Sequence, residues 1–595
     1  MIKKFFLNVL SSFMGAWLAI VVSGICMVLV VIGIIGIMMG GSVSIPKESV
    51  LKIDLQGELV ERFDVNSLNV YDMMQGSGAN IISVETLTAA LEEAKNNNDI
   101  KAVYLDCGQL NSAPASANAV RMAIADFKSS GKKVYAYADS YSQSAYFIAT
   151  AADELSVNPI GSVDLHGLGG ESMFYKDLFD KIGIEFQVVR VGEGKSAVEP
   201  YTQSTMSDYA RNQTMQLLDT IWNGLRSTIA SSRGLDVVTI DSLINNDIPM
   251  IQTGKYALDQ KLVDKTQYRR EFEESLAKKI GVTYDELSYV DPQTLATYNA
   301  ANSYNSNSKG EIAIVYACGG IDDAMGSSGI NSQTLVAQIT ELGNDEDVKG
   351  MVLRVNSPGG SAFGSEQIWE SIEWFKKQGK TVTVSMGDYA ASGGYYISCG
   401  ADRIFADQLT ITGSIGIFGL IPNVKGLLDK IGVNPQMTAT NPNAQLFTLT
   451  HPLDTMQMKA MQGMVEDGYN LFVKRCADGR HTTVEKIKQI ADGRPIAAEV
   501  ALGYGLIDQI GSLREAVKWT ATKAKLGNDY SVGVYPGFEE NLWAMLYNSD
   551  NSSIVQMLQS AQTYPKWDKQ MVEFVQMLLN ADKLRAEYKV LEVKL

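Results

Sequence analysis

One stretch of the chain decides the fold because it occurs twice, as Asp99-Ile-Lys-Ala-Val-Tyr-Leu and as Asp347-Val-Lys-Gly-Met-Val-Leu. Three more matched pairs follow in the same order: Ser130-Gly-Lys-Lys-Val with Gln378-Gly-Lys-Thr-Val, Tyr141-Ser-Gln-Ser with Tyr389-Ala-Ala-Ser, and Asp180-Lys-Ile-Gly with Asp429-Lys-Ile-Gly. The copies are 248 residues apart at the first pair (99 to 347) and 249 apart at the last (180 to 429). The chain therefore contains one domain twice, with a single residue gained or lost in between.

Strand-like and helix-like segments alternate within each copy. The predicted strands are 50–55, 102–105 and 133–137 in the first copy, and 311–317, 350–355 and 381–385 in the second. The predicted helices are 84–96, 116–128 and 206–230 in the first copy, and 333–342, 365–377 and 454–475 in the second. This alternation is typical of βαβ units, so we expect an α/β fold with a parallel sheet in each copy.

Composition limits the classes of protein that the chain can belong to. At 595 residues the chain is too long for one hydrophobic core and long enough to bury an active site. A formal net charge of -16 argues against nucleic acid as a partner. The five cysteines show neither a Cys-x-x-Cys pair nor metal-ligand spacing. We therefore expect no metal and no cofactor, and the cysteines do not argue for a disulfide.

The N-terminal segment differs from the rest of the chain. Residues 13–39 form a run of 27 residues without a charge, and about 20 apolar residues span a bilayer. The run is longer than the apolar part of a cleaved signal peptide, and no Ala-x-Ala site follows it. Lys3 and Lys4 precede the run and the next lysine is Lys47, which favours a cytoplasmic N-terminus. We expect an uncleaved, single-pass signal anchor with the remaining chain outside the cytoplasm.

These features predict six consecutive segments. They are a cytoplasmic N-terminus (1–12), a transmembrane signal anchor (13–39), an N-terminal repeat (47–299), a polar linker (300–310), a C-terminal repeat (311–527) and a C-terminal tail (528–595). The sequence assigns no function to the tail.

Two glycine-rich motifs mark the second repeat as the one that carries a nucleophile. Asn356-Ser-Pro-Gly-Gly-Ser follows a predicted buried strand, and its glycines can aim backbone N–H groups at an oxyanion. Ala390-Ala-Ser-Gly-Gly-Tyr-Tyr places Ser392 on a tight turn at the start of a helix, where the N–H of Gly393 is a second donor. Either motif alone could be an ordinary turn, but their succession at two strand-to-helix junctions favours a nucleophilic serine.

A serine nucleophile needs a base, and histidine is the usual one. His166, His451 and His481 are the three histidines of the chain, and none has a catalytic sequence setting. Lysine can serve if burial lowers its pKa. Lys195 in Gly192-Glu-Gly-Lys-Ser-Ala-Val-Glu-Pro has small neighbours that permit burial, and Ala444 takes its place in the second repeat. We therefore expect a base in one repeat to serve a nucleophile in the other.

These motifs, together with Thr412-Gly-Ser-Ile-Gly, Gly194-Lys-Ser-Ala-Val-Glu-Pro and Asp164-Leu-His-Gly, resemble the long, two-repeat form of the signal peptide peptidase A (protease IV) family. The resemblance covers about residues 47–525 and the N-terminal anchor. It implies a Clp-protease/crotonase-like (ββα-superhelix) fold in each repeat and a homotetramer on the bacterial inner (cytoplasmic) membrane, with its catalytic domains on the periplasmic side. It also implies a Ser/Lys dyad that degrades signal peptides after their release.

The resemblance also implies roles for individual residues. Ser392 is the nucleophile and Lys195 the general base. Gly393 and one of Gly359 or Gly360 form the oxyanion hole, and Ser414 orients the lysine. Ser144 of the first repeat lacks the Gly-Gly that follows Ser392, so we expect it to be inactive.

Two alternatives remain at this stage. One is crotonase-like acyl-CoA chemistry, which would need neither the serine nor the lysine. The other is a non-catalytic membrane scaffold, which would predict loss of both members of the dyad. Loss of proteolysis when Ser392 is substituted would distinguish the peptidase from both.

Overall fold

The structure is a computed structural model that describes residues 45–62, 80–303, 308–323, 329–444 and 446–536. The predicted cytoplasmic N-terminus at 1–12, the predicted membrane span at 13–39 and most of the predicted tail lie outside these ranges. In the part of the chain that is described, no helix has the length and apolar character needed to cross a membrane.

The first repeat folds as a parallel sheet with helices packed on it. Its strands, β1 to β8, are Ser49–Val60, Ile81–Ser83, Ile100–Ser112, Lys133–Ala138, Glu154–Val157, Glu185–Val191, Lys265–Thr266 and Tyr289–Val290. Its helices, α1 to α10, are Val84–Asn96, Pro114–Lys128, Gln143–Ala149, Lys176–Ile182, Glu199–Thr202, Asp208–Arg233, Val237–Asn246, Gly254–Asp259, Arg269–Ile280 and Pro292–Ser303. The strand order is β2-β1-β3-β4-β5-β7, with β8 also paired to β1. Every one of these pairings is parallel, as predicted.

The second repeat has the same plan. Its strands, β9 to β19, are Glu311–Cys318, Ile321–Asp322, Ile330–Asn331, Val348–Ser357, Thr381–Ala391, Arg403–Ala406, Ile411–Gly413, Ile417–Asn423, Pro495–Ala497, Gln509–Ile510 and Ser531–Tyr535. Its helices, α11 to α18, are Ser332–Asn344, Ala362–Lys377, Gly393–Tyr396, Lys425–Ile431, Thr455–Gly479, Val484–Lys488, Ala498–Gly503 and Leu513–Lys523. The sheet runs β17-β15-β13-β12-β9-β19, and β14 joins β13 to β18. Strand β19 lies beyond residue 527 and completes this sheet beside β9.

Burial explains why the strands form. Most side chains of the central strands β3 and β12 are buried, as expected for parallel strands between helical layers. Each repeat has its own large apolar core. The cores are not independent, since Leu409 of the second repeat is buried in the core of the first.

A two-stranded ribbon links the repeats next to the predicted site. Strand β6 of the first repeat pairs antiparallel with β16 of the second, from Glu185 opposite Asn423 to Val191 opposite Ile417. Lys195 follows the end of β6 by four residues, and Ser414 precedes β16 by three. The ribbon therefore sets the loop that carries the lysine beside the loop that carries Ser414.

Candidate active site

Ser392 stands at the junction between β13 and the short helix α13. Its backbone has φ 55° and ψ -118°, a conformation that costs a residue other than glycine about 1 to 3 kcal/mol. The surroundings impose it: the Ser392 N–H donates to the carbonyl of Gly413 at 2.9 Å, and its own carbonyl accepts from the N–H of Tyr396 at 2.9 Å. The strained turn holds the hydroxyl at the start of the helix.

Lys195 lies in the loop after β6 and is 5% exposed. Its Nζ is 3.0 Å from Ser392 Oγ and 2.9 Å from Ser414 Oγ. Burial lowers the pKa of the amine to about 8, because desolvation disfavours the charged form. No ion pair to Lys195 is found among the residues that the structure describes, so no carboxylate offsets this effect. The amine can thus be neutral near physiological pH.

Ser414 forms the second hydrogen bond to the amine of Lys195. Its hydroxyl donates to the carbonyl of Gly493 at 2.9 Å and accepts an N–H from Lys195. Because its single proton is committed to Gly493, the hydroxyl cannot donate to the lysine nitrogen. The lone pair of a neutral amine is then left for the hydroxyl of Ser392. Ser414 itself has φ 53° and is fixed through its N–H, which donates to the carbonyl of Arg494 at 2.9 Å.

The loop at 492–494 is part of the site that the sequence analysis missed. In addition to its contacts with Ser414, its Asp492 carbonyl accepts the N–H of Gly194 at 2.7 Å. A Cβ on Gly493 would lie 2.7 Å from Lys195 Cγ, and one on Gly416 would lie 3.2 Å from Lys195 Cε. Both glycines therefore let the backbone close over the lysine side chain. The Asp-Gly-Arg-Pro turn was visible in the sequence, but its partner was not.

The three predicted oxyanion glycines meet directly beside Ser392. A Cβ on Gly359 would lie 2.7 Å from the nitrogen of Gly393 and 2.8 Å from Ser392 Cβ, so only glycine fits there. The N–H of Gly359 donates to Ser357 Oγ at 3.1 Å. The carbonyl of Gly359 accepts from Ile321 at 2.9 Å, which fixes the loop. This arrangement leaves the N–H groups of Gly360 and Gly393 as the pair suited to an oxyanion.

The corresponding turn of the first repeat is built differently. Ser144 lies inside α3, whereas the residue that begins the helix is Ser142. The Ser142 hydroxyl accepts the N–H of Ala145 at 3.4 Å and the N–H of Leu110 at 3.0 Å. Ser142 is therefore a structural helix cap, and Ser144 has no counterpart of the lysine contact in this part of the structure.

The histidines are placed elsewhere. His166 Nδ1 is 2.6 Å from Asp164 Oδ1 on the surface, and His451 Nδ1 is 2.9 Å from Thr450 Oγ1. Across the described ranges, no histidine forms a hydrogen bond with Ser392. Nor does any group of three His, Cys, Asp or Glu side chains in those ranges have the arrangement of a metal site.

Comparison with known proteins agrees with the repeat and with the site. The model of peptidase family S49 matches residues 126–283 and 374–527, and that of Clp protease matches residues 313–406. "Protease 4" of Salmonella typhi is 34% identical, over 81% of this chain and 76% of that protein. "Protease 4" of Haemophilus influenzae is 32% identical, over 95% of this chain and 92% of that protein.

A plant relative extends the comparison. "Serine protease SPPA, chloroplastic" of Arabidopsis thaliana is 28% identical, over 81% of this chain and 70% of that protein. The family resemblance inferred from the motifs is confirmed, as are the two α/β repeats. The chain belongs to peptidase family S49 and is a serine peptidase.

Proposed function

We propose that the chain is an endopeptidase that uses Ser392 as its nucleophile and Lys195, from the other repeat, as its general base. The observation that carries the proposal is the 3.0 Å contact between a buried amine and a strained serine hydroxyl. The lowered pKa of Lys195, about 8, supports it, because a base must be unprotonated to accept the serine proton.

Acylation follows from these positions. Neutral Lys195 takes the proton of Ser392 Oγ while that oxygen attacks the carbonyl carbon of the scissile peptide bond. The carbonyl oxygen becomes an oxyanion that accepts the N–H groups of Gly360 and Gly393. When the tetrahedral intermediate collapses, the C–N bond breaks and Lys195 gives its proton to the leaving amine. Ser414 keeps the amine in place throughout, because its hydroxyl proton stays hydrogen-bonded to the carbonyl of Gly493.

Deacylation repeats the sequence with water. Lys195, neutral again, removes a proton from a water molecule whose oxygen attacks the ester carbon of the acyl-enzyme. The same N–H groups stabilise the second oxyanion, and the lysine returns its proton to Ser392 Oγ as the carboxylic acid product leaves.

We propose that the substrates are apolar peptides, including signal peptides already released from their precursors. Three large apolar side chains that are exposed to solvent support this: Phe363 is 68%, Tyr389 42% and Phe418 40% exposed. Each lies within four residues of an active-site residue in sequence. Exposed apolar side chains grouped around a site are suited to bind apolar ligands.

We further propose a membrane-anchored homotetramer with its catalytic repeats outside the cytoplasm. The uncharged run at 13–39 supports the anchor. Large apolar side chains left exposed on the body support self-association: Leu178, Ile431, Met437, Phe447, Leu449 and Met456. The chain should stay in the membrane pellet after alkaline carbonate extraction and have the mass of four copies in detergent by light scattering.

The catalytic proposal is tested by finding the acylated residue. The full chain in detergent is incubated with an activated ester of an apolar peptide and mapped by mass spectrometry. We expect the acyl group on Ser392 and none on Ser144. We also expect Lys195→Ala to abolish hydrolysis of a fluorogenic apolar peptide. An acyl group on another residue would overturn the choice of Ser392 as the nucleophile. Full activity in Lys195→Ala would overturn the choice of Lys195 as the base. The alternatives of a scaffold and of acyl-CoA chemistry both predict no hydrolysis by the wild type.

A further inference from the structure

The strand that leads to Ser392 contains a bulge. Strands β12 and β13 pair regularly up to Val355 opposite Met386, and pairing resumes with Ser357 opposite Ala390. One residue of β12, Asn356, therefore faces three residues of β13, 387–389. Bulges next to active sites redirect a strand and its side chains. This one lies between the sheet and both halves of the catalytic machinery, the oxyanion loop and the nucleophile turn.

Two polar side chains fill the bulge. Asn356 Oδ1 accepts the backbone N–H of Tyr389 at 3.0 Å, and Asn356 Nδ2 donates to Asp388 Oδ2 at 3.1 Å. Asp388 is 8% exposed, and a buried carboxylate needs partners to offset its desolvation. Most of the hydrogen-bond partners of Asp388 lie in the first repeat.

Asp388 binds the N-terminus of α2 across the boundary between repeats. Its Oδ1 accepts the backbone N–H of Ser116 at 2.7 Å, and its Oδ2 accepts from Ser116 Oγ at 2.5 Å. Helix α2 begins after Ala113, whose methyl side chain cannot accept a hydrogen bond and so cannot cap the helix. The equivalent helix of the second repeat, α12, is capped by its own Ser361, which accepts from the N–H of Gly364 at 3.0 Å. A carboxylate from the other repeat thus serves as the missing cap, and the positive end of the helix favours its charge.

This contact is specific to the repeat that carries the nucleophile. At the 248-residue spacing, Asn356 and Asp388 correspond to Gly108 and Ser140 of the first repeat, which cannot form the same pair. The end of α2 that receives Asp388 corresponds to the helix start that follows the oxyanion loop in the second repeat. The start of α2, where the first repeat has no active site of its own, therefore contacts the bulge that leads to Ser392 in the second repeat.

We propose that Asp388 is a positioning residue, through which the inactive site of the first repeat fixes the nucleophile and the oxyanion loop of the second. The inference rests on the proposed function. Ser392 follows Asp388 by four residues, and Gly360 follows Asn356 by four. The Asp388–Asn356 contact therefore sets the relative position of nucleophile and oxyanion donor, and a misplacement of about 1 Å can cost on the order of 100-fold in rate.

The sheet itself does not depend on Asp388. The carbonyl of Met386 accepts from Arg354 Nη1 at 2.9 Å, and the carbonyl of Gly387 accepts from Thr410 Oγ1 at 2.6 Å. These bonds keep β13 in the sheet when the carboxylate is removed. Asp388→Ala should therefore fold and lose rate, while Asp388→Asn keeps one oxygen for the Ser116 N–H and should retain much of it.

The experiment compares variants of the full chain in detergent on a fluorogenic apolar peptide. We expect Asp388→Ala to lower kcat about 30- to 100-fold with KM within about threefold of wild type, and Asp388→Asn to restore at least about tenfold of that loss. The pH at which the rate rises should stay unchanged, because Lys195 is untouched. The matched control is Arg514→Gln, which breaks an exposed contact between repeats with Glu92 and Asp126 and should leave kcat unchanged.

The following outcomes would overturn the proposal. One is a folded Asp388→Ala enzyme whose kcat stays within twofold of wild type, whether or not its melting temperature falls, since the contact would then not position the site. Another is an equal loss of kcat in Arg514→Gln. If Asp388→Ala does not fold, Asn356→Ala takes its place, and unchanged kcat there overturns the proposal.

The rate of labelling by a fluorophosphonate, which reports the reactivity of Ser392 without a peptide, separates failure of the proposed function from failure of the positioning role. Labelling that persists in Ser392→Ala refutes the proposed nucleophile, whereas wild-type labelling in a folded Asp388→Ala refutes only the positioning role.

Discussion

The two repeats use a serine at the same junction between strand and helix for opposite purposes. In the first repeat, Ser142 has φ -71° and ψ 158°, and its hydroxyl is used up by neighbouring N–H groups. In the second repeat, the helix begins two residues later when the repeats are aligned at the 248-residue spacing. There Ser392 has φ 55°, and its hydroxyl is hydrogen-bonded to Lys195. A change in where one helix starts, together with the Gly-Gly that permits it, separates a helix cap that stabilises the fold from the proposed nucleophile, whose backbone is strained.

The sharpest way to break this comparison is to remove each serine. Ser392→Ala should lower kcat/KM by at least about 10⁴-fold, because nothing else in the site can form the acyl-enzyme. Ser144→Ala, the matched control at the aligned position, should stay within about twofold of wild type. Steady-state hydrolysis of a fluorogenic apolar peptide measures both. Comparable losses in the two variants would mean that both repeats are catalytic.

The lysine is expected to trade stability for activity. Lys195→Met should lower kcat about 10³-fold or more. It should also raise the free energy of unfolding by about 1 to 3 kcal/mol, because the burial that lowers the pKa to about 8 penalises the charged amine. Urea unfolding of both proteins at pH 7 measures the second effect.

The sign of the stability effect can be checked by pH. The folded amine loses its proton near pH 8, and the unfolded one near its ordinary value of 10.5. Wild type should therefore gain stability as the pH rises from about 8 towards 10.5, while Lys195→Met should not. An unchanged gap between the two proteins over that range would argue that the lysine is not buried as described.

Ser414 tests whether orientation of the base matters. Ser414→Ala removes the oxygen that accepts the lysine N–H and leaves the amine free to rotate. We expect kcat to fall about 10- to 100-fold with little change in KM. Ser414→Gly removes the same oxygen but adopts the positive φ of this position without strain, so it should lose as much activity as Ser414→Ala. If Ser414→Gly keeps wild-type activity, the loss in Ser414→Ala comes from backbone strain and not from the hydrogen bond.

The pH dependence of catalysis follows from the same amine. Only the neutral form is a base, so kcat/KM should rise about tenfold per pH unit below pH 8 and level off above about pH 9. Rates measured from pH 5.5 to 10 give the profile. A fall in rate over that range as the pH increases would exclude Lys195 as the base.

The smallest effects concern the two helix starts. Ser142→Ala should lower the free energy of unfolding by about 1 kcal/mol through loss of a cap, without a change in kcat. Ser392→Gly should raise it by about 1 kcal/mol, because glycine adopts a positive φ without strain. Chemical denaturation at pH 7 compares them. Changes of the same sign would mean that the two turns are energetically alike.

Local signals were sufficient for the main helices and the central strands. Periodicity and turn residues predicted the helix at 84–96 with the bounds that the structure has, and the predicted strand at 102–105 lies in the first half of Ile100–Ser112. The strand was underestimated because its far end carries the polar residues Gln109 and Asn111, and the pairing of Asn111 with Glu58 of β1 leaves no mark in composition. The ribbon of β6 and β16 was not predicted, since its partners are more than 200 residues apart.

The serine and the lysine were predicted by comparing the repeats, whereas Ser414 and the oxyanion glycines followed from the motifs and the family resemblance. Ser392 stood out because Ser144, its counterpart in the first copy, lacks the Gly-Gly that follows Ser392, and Lys195 stood out because Ala444 replaces it in the second copy; the structure brings the two together. Gly493, Gly416 and Asp388 were missed because their partners lie far away in the sequence. A glycine that closes over a lysine looks the same in sequence as one that makes a turn.

The loop at 492–494 has a consequence for the synthesis of this enzyme. Ser414 depends on the carbonyl of Gly493, so the machinery that activates Ser392 is assembled from segments spread over some 300 residues, from Lys195 to Arg494. A ribosome-bound chain that has exposed its lysine and its serine still lacks the clamp between them. The site therefore cannot work until the loop at 492–494 has been translated and has closed over the lysine.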